Sequence, residues 1–296
     1  MQRVRPRDVV VPGSIANLGP GFDTLGVAVS LYLRLRVTNI ERDGRGRLTF
    51  QFLEGPIGGP NLIATGFRAL GPLKKAPSLD VQVRSDIPLR GGLGSSAAAI
   101  VAGLRLRELV DGRRRGDEIL AVASKIEGHP DNVAPSVYGG VTSCCATDDG
   151  TIRVTQWPWP RTWRVVVATP EAELPTSVSR RALPRQLRVE DAVFNLQHVA
   201  LLLGALHSGD ADDFREALRD RLHQPHRERL VPGLRWLLSM RHPDVIGFCL
   251  SGAGPSIVAF TKGPTAAAER ILKQAYRRER IACRVRTVRV HPEGEA

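Results

Sequence analysis

The sequence predicts an α+β fold in two parts, and three patterns carry the prediction. Leu31, Leu33, Leu35 and Val37 alternate with Tyr32, Arg34 and Arg36, as half-buried antiparallel strands do. Leu48, Phe50 and Phe52, then Leu79, Val81 and Val83, repeat the pattern before the first long helix. A glycine-rich loop at 88–94 feeds an alanine-rich apolar run, and past Trp157-Pro158-Trp159-Pro160 the order becomes strand, helices, hairpin, helix, strand, which is ferredoxin-like. At 296 residues the chain is at the upper limit for one core, so a division into 1–160 and 161–296 is expected.

Taken in order, Val9-Val10-Val11-Pro12 opens as a short strand. A glycine-rich turn at 13–26 follows, with two isolated polar residues, Asn17 and Asp23. By composition these two close turns with their own backbone. Asn61 caps a helix through Ile63, Phe67 and Leu70, between breaks at 55–60 and 72–77. Pro88-Leu89-Arg90-Gly91-Gly92-Leu93-Gly94-Ser95-Ser96-Ala97-Ala98-Ala99 is a loop meeting a helix N-terminus. Unpaired N–H groups and the macrodipole favour an anion there, and glycines let it approach the backbone. Phosphate is the natural guest. No Gly-Lys-Ser/Thr follows, so this is not a Walker A loop. Gly92, Gly94 and Ala97 match the dinucleotide fingerprint by spacing, but the upstream strand alternates where that fingerprint needs a buried one. Read by itself, the loop also fits an ordinary helix cap.

The long helix continues through Ile100, Val101 and Leu104. After a charged loop at 111–116, Asp117 caps a helix with Ile119, Leu120, Val122, Ala123 and Ile126 on its apolar face, and Gly128 stops it. Glu127 sits in the last turn, where the macrodipole disfavours a carboxylate; a bound cation would account for it. Glu127-Gly128-His129-Pro130-Asp131-Asn132-Val133-Ala134-Pro135 gathers four polar side chains in a tight loop. His129 with Glu127 and Asp131 imitates a zinc site, but no second histidine is near, and zinc is not expected. In the second part, 165–168 reads as a central buried strand and helices span 191–207 and 211–222. A hairpin joins 247–250 to 257–260 through Ser251-Gly252-Ala253-Gly254-Pro255, Thr265 caps a helix to Arg278, and 284–290 is the last strand.

The net charge of +12 comes mostly from arginines spread along the chain, without aromatic interleaving. That argues against a nucleic-acid partner and for a basic surface that attracts anionic substrates. No apolar run reaches about 18 residues and the N-terminus has no apolar h-region, so neither a membrane span nor a secretory signal is expected, and the cytoplasm is the expected compartment. Cys144, Cys145, Cys249 and Cys283 lack metal-binding spacing and read as small buried side chains.

The loops at 12–26, 88–99 and 250–256 together resemble the three signature motifs of the GHMP kinase superfamily, and within it the homoserine kinases. Ile15-Ala16-Asn17-Leu18-Gly19-Pro20-Gly21-Phe22-Asp23 and the 127–135 stretch carry the likeness most closely, with Asp191-Ala192-Val193-Phe194-Asn195-Leu196 and Leu222-His223-Gln224-Pro225-His226-Arg227 in support. The resemblance implies a ribosomal-protein-S5-like first domain with an antiparallel sheet and a ferredoxin-like second domain that completes the substrate site. It implies ATP-dependent phosphorylation of the side-chain hydroxyl of L-homoserine, in threonine biosynthesis, with a mevalonate- or sugar-type acceptor as the alternative. Asn61 would contact adenine, and Pro88, Leu89, Arg90, Gly91, Gly92, Leu93, Gly94, Ser95, Ser96, Ala97 and Ala98 would surround the phosphates. Ser96 and Glu127 would hold Mg2+, with Ser95 an alternative to Ser96. Asp23 and Asn17 would face the amino acid, Arg180 and Arg227 would clamp its carboxylate, and Asn132 would bond the reacting hydroxyl. His129 would position substrate. Mevalonate-type relatives use an aspartate as base near this point, whereas homoserine kinases lack a side-chain base; Asp131 stays open as one. Ser251, Gly252 and Gly254 would support the phosphate loop. The partner implied is a small molecule, with a homodimer left open.

Overall fold

A computed structural model describes residues 8–54, 60–71, 77–113 and 116–294. Most of the breaks placed at 55–60 and 72–77, and two arginines of the 113–115 run, lie outside the described residues. The first part holds β1 (Asp8–Ala16), β2 (Leu25–Glu41), β3 (Leu48–Phe52), α1 (Leu62–Ala69), β4 (Ser78–Ser85), α2 (Ser95–Asp111), α3 (Gly116–Glu127), α4 (Val133–Tyr138), β5 (Val141–Ala146) and β6 (Ile152–Trp157). Its six strands form one sheet, ordered β3-β4-β2-β5-β6, with β1 also on β2. The helix α2 packs on β1 and β2 and against α1, α3 and α4. Ala97, Ala98, Ile100, Val101, Ala102, Leu104 and Leu106 are all buried in it, so it is apolar on more than one face, as a central helix must be. Where α1 crosses it, a Cβ on Gly66 would stand 2.2 Å from the Ile100 carbonyl oxygen; glycine permits the approach.

The second part holds β7 (Trp163–Pro170), α5 (Thr176–Arg181), α6 (Val189–Ser208), α7 (Ala211–Ala217), α8 (Gln224–Arg227), α9 (Leu234–Ser239), β8 (Gly247–Leu250), β9 (Ile257–Lys262), α10 (Ala266–Arg278) and β10 (Cys283–Val288). Its sheet is ordered β10-β7-β9-β8 and is antiparallel throughout. The apolar core does not stop at the tryptophan–proline stretch. Val165 and Val167 of β7 join the core of the first part, while Val166 and Ala168 turn to a second cluster with α9 and α10. Alternate residues point to opposite faces, so a strand buried on both faces reads as a continuous apolar run.

Several expectations need correction. The segment 13–16, read as loop, continues β1 after a register shift between Pro12 and Gly13. Pro12 lacks the N–H a regular ladder needs there. β3 pairs parallel to β4, although the strands before α2 were expected to be antiparallel. Asp117 lies inside the first turn of α3 and accepts from the Tyr138 hydroxyl at 2.8 Å. Thr265 occupies the N-cap of α10, but its hydroxyl bonds Glu269 and no backbone N–H. α7 ends at Ala217, not 222, because the chain then folds around Asp220, which accepts from the backbone N–H groups of Leu222, His223 and Gln224. Cys144 and Cys249 are buried, but Cys145 is exposed. By length and composition α6 could cross a membrane, which is weak support for a span; its Asn195, His198, Leu202, Ala205 and Leu206 are buried in the fold.

Candidate active site

The phosphate loop leaves β4 and reaches α2 through three residues with positive φ: Arg90, Gly92 and Gly94. That path turns its carbonyls outward. Gly91 O accepts from Ser256 N–H, Gly92 O from the Ser251 hydroxyl at 2.6 Å, and Leu93 O from Ser14 N–H. The first helical bond of α2 is Ala98 N–H to Gly94 O, and the N-cap has no side-chain bond, so the amides of Ser95, Ser96 and Ala97 have no partner within the helix. This is the geometry of an anion site. Leu93, Ala97 and Ala98 bury their side chains in the core, so only their backbone is available to a ligand.

Two cavities meet at this helix end. One, of about 360 Å³, is lined by Phe52, Asn61, Leu62, Ile63, Leu89 and Ala99, together with Arg90, Ser95 and Ser96. Asn61 Oδ1 accepts from Ala64 N–H and caps α1 as expected, which fixes the side chain at the cavity edge. The other cavity, of about 260 Å³, shares Arg90, Ser95 and Ser96 and extends to Glu127, His129, Asp131, Asn132, Asp23, Arg180 and Arg227. Arg90 reaches across to Glu173 at 2.7 Å, an ion pair the sequence does not mark.

The Ser96 hydroxyl donates to Glu127 Oε1. That contact distinguishes the two serines: Ser95 lines both cavities but makes no such bond. Burial raises the Glu127 carboxyl above its usual range, with the Ser96 bond and nearby His129 opposing it. Burial works against a charged His129, but the 2.5 Å bond to Asp131 and the charges of Asp131 and Glu127 outweigh it, so the imidazole titrates above its ordinary value. Asn132 Oδ1 accepts from the Ser14 hydroxyl at 2.8 Å, and its NH2 has no protein partner among the described residues.

Asp23 is held twice by Arg180, at 2.7 and 3.0 Å. Asn17, at φ 74°, accepts from Asp23 N–H with Oδ1 and donates to Gly252 O with Nδ2, so its amide is used inside the protein. Asn17 thus ties its own turn, through Asp23, to the 251–256 turn. Arg227 is 1% exposed; its Nη1 donates to Gly252 O and to His223 Nδ1, and its Nε has no partner. Burial, then Arg180, pulls its guanidinium down to about 10, which still leaves it charged at neutral pH. The 251–256 turn braces this wall: Gly252 N–H bonds Ala16 O, and a Cβ on Gly92 would stand 2.5 Å from Ser251 O.

Asp23, His129 and Asp131 bring three ligand atoms within 4.8 Å of one another, but Arg180 already occupies Asp23. Ser14, Phe22 and His223 also shape the site and were not singled out for it. Phe22 and Ser14 flank motif residues; His223 had no signal beyond its segment. The dinucleotide reading fails on topology, because α2 leads through α3 and α4 to β5, which is not a neighbour of β4.

Comparison with known proteins identifies the family. The model of the GHMP kinases N terminal domain matches residues 61–140, and that of the GHMP kinases C terminal matches 202–278. A homoserine kinase of Solibacter usitatus is 40% identical over 261 residues, covering 84% of this chain and 83% of that protein. One from Thermus thermophilus is 44% identical over 262 residues, covering 85% and 86%. The crystal structure of homoserine kinase from Cytophaga hutchinsonii superposes with a TM-score of 0.83 at 25% identity, covering 99% of this chain and 98% of that one. The phosphate loop, the serine–glutamate contact and the two cavities thus belong to a chain that is a member of the GHMP kinase superfamily and, within it, of the homoserine kinase family.

Proposed function

We propose that this kinase transfers the γ-phosphoryl group of ATP to the side-chain hydroxyl of L-homoserine, a step of threonine biosynthesis. The adenine lies in the apolar cavity beside Asn61, and the phosphates lie against the amides of 92–97. Phosphoryl transfer needs positioning and charge neutralisation more than covalent chemistry. Glu127 and Ser96 fit a hard cation. They offer oxygen donors only, and the half-buried carboxylate sits at an unfavourable helix end with a hydroxyl as its hydrogen-bond partner. Mg2+ held there would offset the negative charge of the phosphates.

The acceptor lies across the same cavity. Asp23 takes its ammonium, and Arg180 and Arg227 take its carboxylate. Asn17 acts through Asp23, whose backbone it holds. Asn132 has its oxygen committed to Ser14, so its NH2 donates to the acceptor hydroxyl and turns an oxygen lone pair toward phosphorus. That oxygen forms the new P–O bond as the bond to the β-phosphate breaks. Asp131 is tied to a His129 that favours the imidazolium, which makes it a poor base. The hydroxyl proton therefore passes to an oxygen of the transferred phosphoryl group. With the chain divided near residue 160, most of this nucleotide site belongs to the first part and the arginine clamp to the second. All substrates are water-soluble, and we place the enzyme in the cytoplasm.

The observation that carries this reading is the Ser96–Glu127 contact at the open end of α2, in one cavity with Asp23, Arg180 and Arg227. A coupled ADP-release assay across homoserine, mevalonate and galactose tests it. Homoserine alone should be turned over rapidly, and Glu127→Gln should lower turnover at least ~10-fold, about 1.4 kcal/mol of transition-state stabilisation. Use of mevalonate or a sugar in place of homoserine would overturn the acceptor. Unchanged turnover in the variant would overturn the metal role.

A further inference from the structure

Arg227 is a buried cation without a carboxylate. Among the described residues no acid is ion-paired with it, although it is 1% exposed. A guanidinium in that state is costly unless a ligand completes it. Its donors divide unevenly. Both N–H groups of Nη1 are spent, one on Gly252 O at 2.9 Å and one on His223 Nδ1 at 3.1 Å. Nε has no partner and is buried from solvent, whereas Nη2 makes no bond among the described residues and Arg227 lines the cavity. Nη2 is the donor left over, and it suits a charge-assisted bond to a carboxylate in the cavity.

We propose that His223 is a positioning residue: it accepts a hydrogen bond from Arg227 Nη1 and so keeps Nη2 free for the carboxylate of the acceptor. This rests on the reading that Arg227 binds that carboxylate. The tautomer follows from the partners. Nε2 lies 2.7 Å from Gly19 O, which can only accept, so Nε2 carries the proton and Nδ1 offers a lone pair. His223 is fully buried, and burial together with the Arg227 charge holds its imidazole below the ordinary range, against the pull of Asp220. Asp220 lies 3.4 Å from Nε2 but is spread over three backbone N–H groups and Asn195 Nδ2. Phe22 packs on the ring at 5.3 Å between centroids and lies under the guanidinium at 5.3 Å, closing a third side.

Steady-state kinetics of His223→Leu and His223→Asn test this. Leucine fills the space without an acceptor, whereas asparagine can place Oδ1 near the position of Nδ1. His223→Leu should raise KM for homoserine at least ~10-fold, the effect of losing about 1.4 kcal/mol, with KM for ATP within about twofold. His223→Asn should bring KM for homoserine back to within about threefold of the parent. Equal losses in the two variants, or an unmoved KM for homoserine in His223→Leu, would overturn the proposal. Arg227→Ala separates the two levels. If it leaves KM for homoserine unchanged, the acceptor role of Arg227 fails. If it raises that KM and His223→Leu does not, only the role of His223 fails. Should His223→Leu not fold, nitrogen NMR of the parent protein decides: a proton on Nδ1 at neutral pH overturns the proposal, and an unprotonated Nδ1 supports it.

Discussion

His129 and Asp131 stand two residues apart, and their pairing makes a stability prediction. The folded protein raises the histidine above its unfolded value, so it holds the proton more tightly than the unfolded chain does. That stabilisation is fully present below the unfolded value of about 6.5 and disappears as pH rises through the raised folded value. The melting temperature of the parent should therefore exceed that of His129→Gln most at about pH 6, with the gap narrowing toward about pH 9. A gap that does not change with pH would show that the pair contributes only packing. This cluster was legible because its members are neighbours in sequence. The Asp23–Arg180 pair was not, since 157 residues separate its members. Both belong to the proposed acceptor site, one for each of its charged groups. On the proposed acceptor site, their mutual bond means that homoserine exchanges one ion pair for two. Nothing local in the sequence encodes that competition.

At the level of elements, the start of α2 and its glycine loop were readable because caps and φ > 0 positions restrict residue type. Strand direction was not readable. Alternation in 48–52 and 79–84 reports which face is buried, and it is the same for parallel and antiparallel neighbours. The extension of β1 was hidden for a related reason: Pro12 and Gly13 have the composition of a turn but form a register shift inside a strand. The glycine loop also allows a controlled comparison. Gly92 and Gly112 have nearly the same φ, 74° and 73°, at opposite ends of this region. A Cβ at Gly92 would lie 2.5 Å from Ser251 O and 2.6 Å from Gly254 O, whereas one at Gly112 meets nothing within 4 Å. Gly112→Ala should cost about 1 kcal/mol from backbone strain and leave KM for ATP unchanged. Gly92→Ala carries the same strain plus a clash with backbone that cannot move freely. It should cost about 3 kcal/mol or more, lower the melting temperature by roughly 6–12 °C, and raise KM for ATP. Equal effects of the two substitutions would mean that the loop does not depend on the 251–256 turn.

At the scale of the whole molecule, the tryptophan–proline stretch marks where the chain changes sheets, and the apolar run of β7 already hinted that the change is not a break. Trp163, Phe214 and Phe260 pack at 4.6 and 5.2 Å between ring centroids, within the same core cluster as α2 and the first sheet. The phosphate loop and the 251–256 turn exchange hydrogen bonds at Gly91 and Gly92, and Gly252 bonds back to Ala16. Exposing either sheet alone would therefore open the shared core and strip the ligand site of one wall. The two parts should unfold together, in a single calorimetric transition whose van't Hoff and calorimetric enthalpies agree. Nucleotide bound at the loop of the first part, as proposed, should at about 100 times its Kd stabilise the whole transition by about 2.7 kcal/mol without splitting it. Two resolved transitions, with nucleotide moving only one of them, would show that the second sheet folds independently and that the cavity wall at Gly252 and Arg227 can detach from the loop it braces.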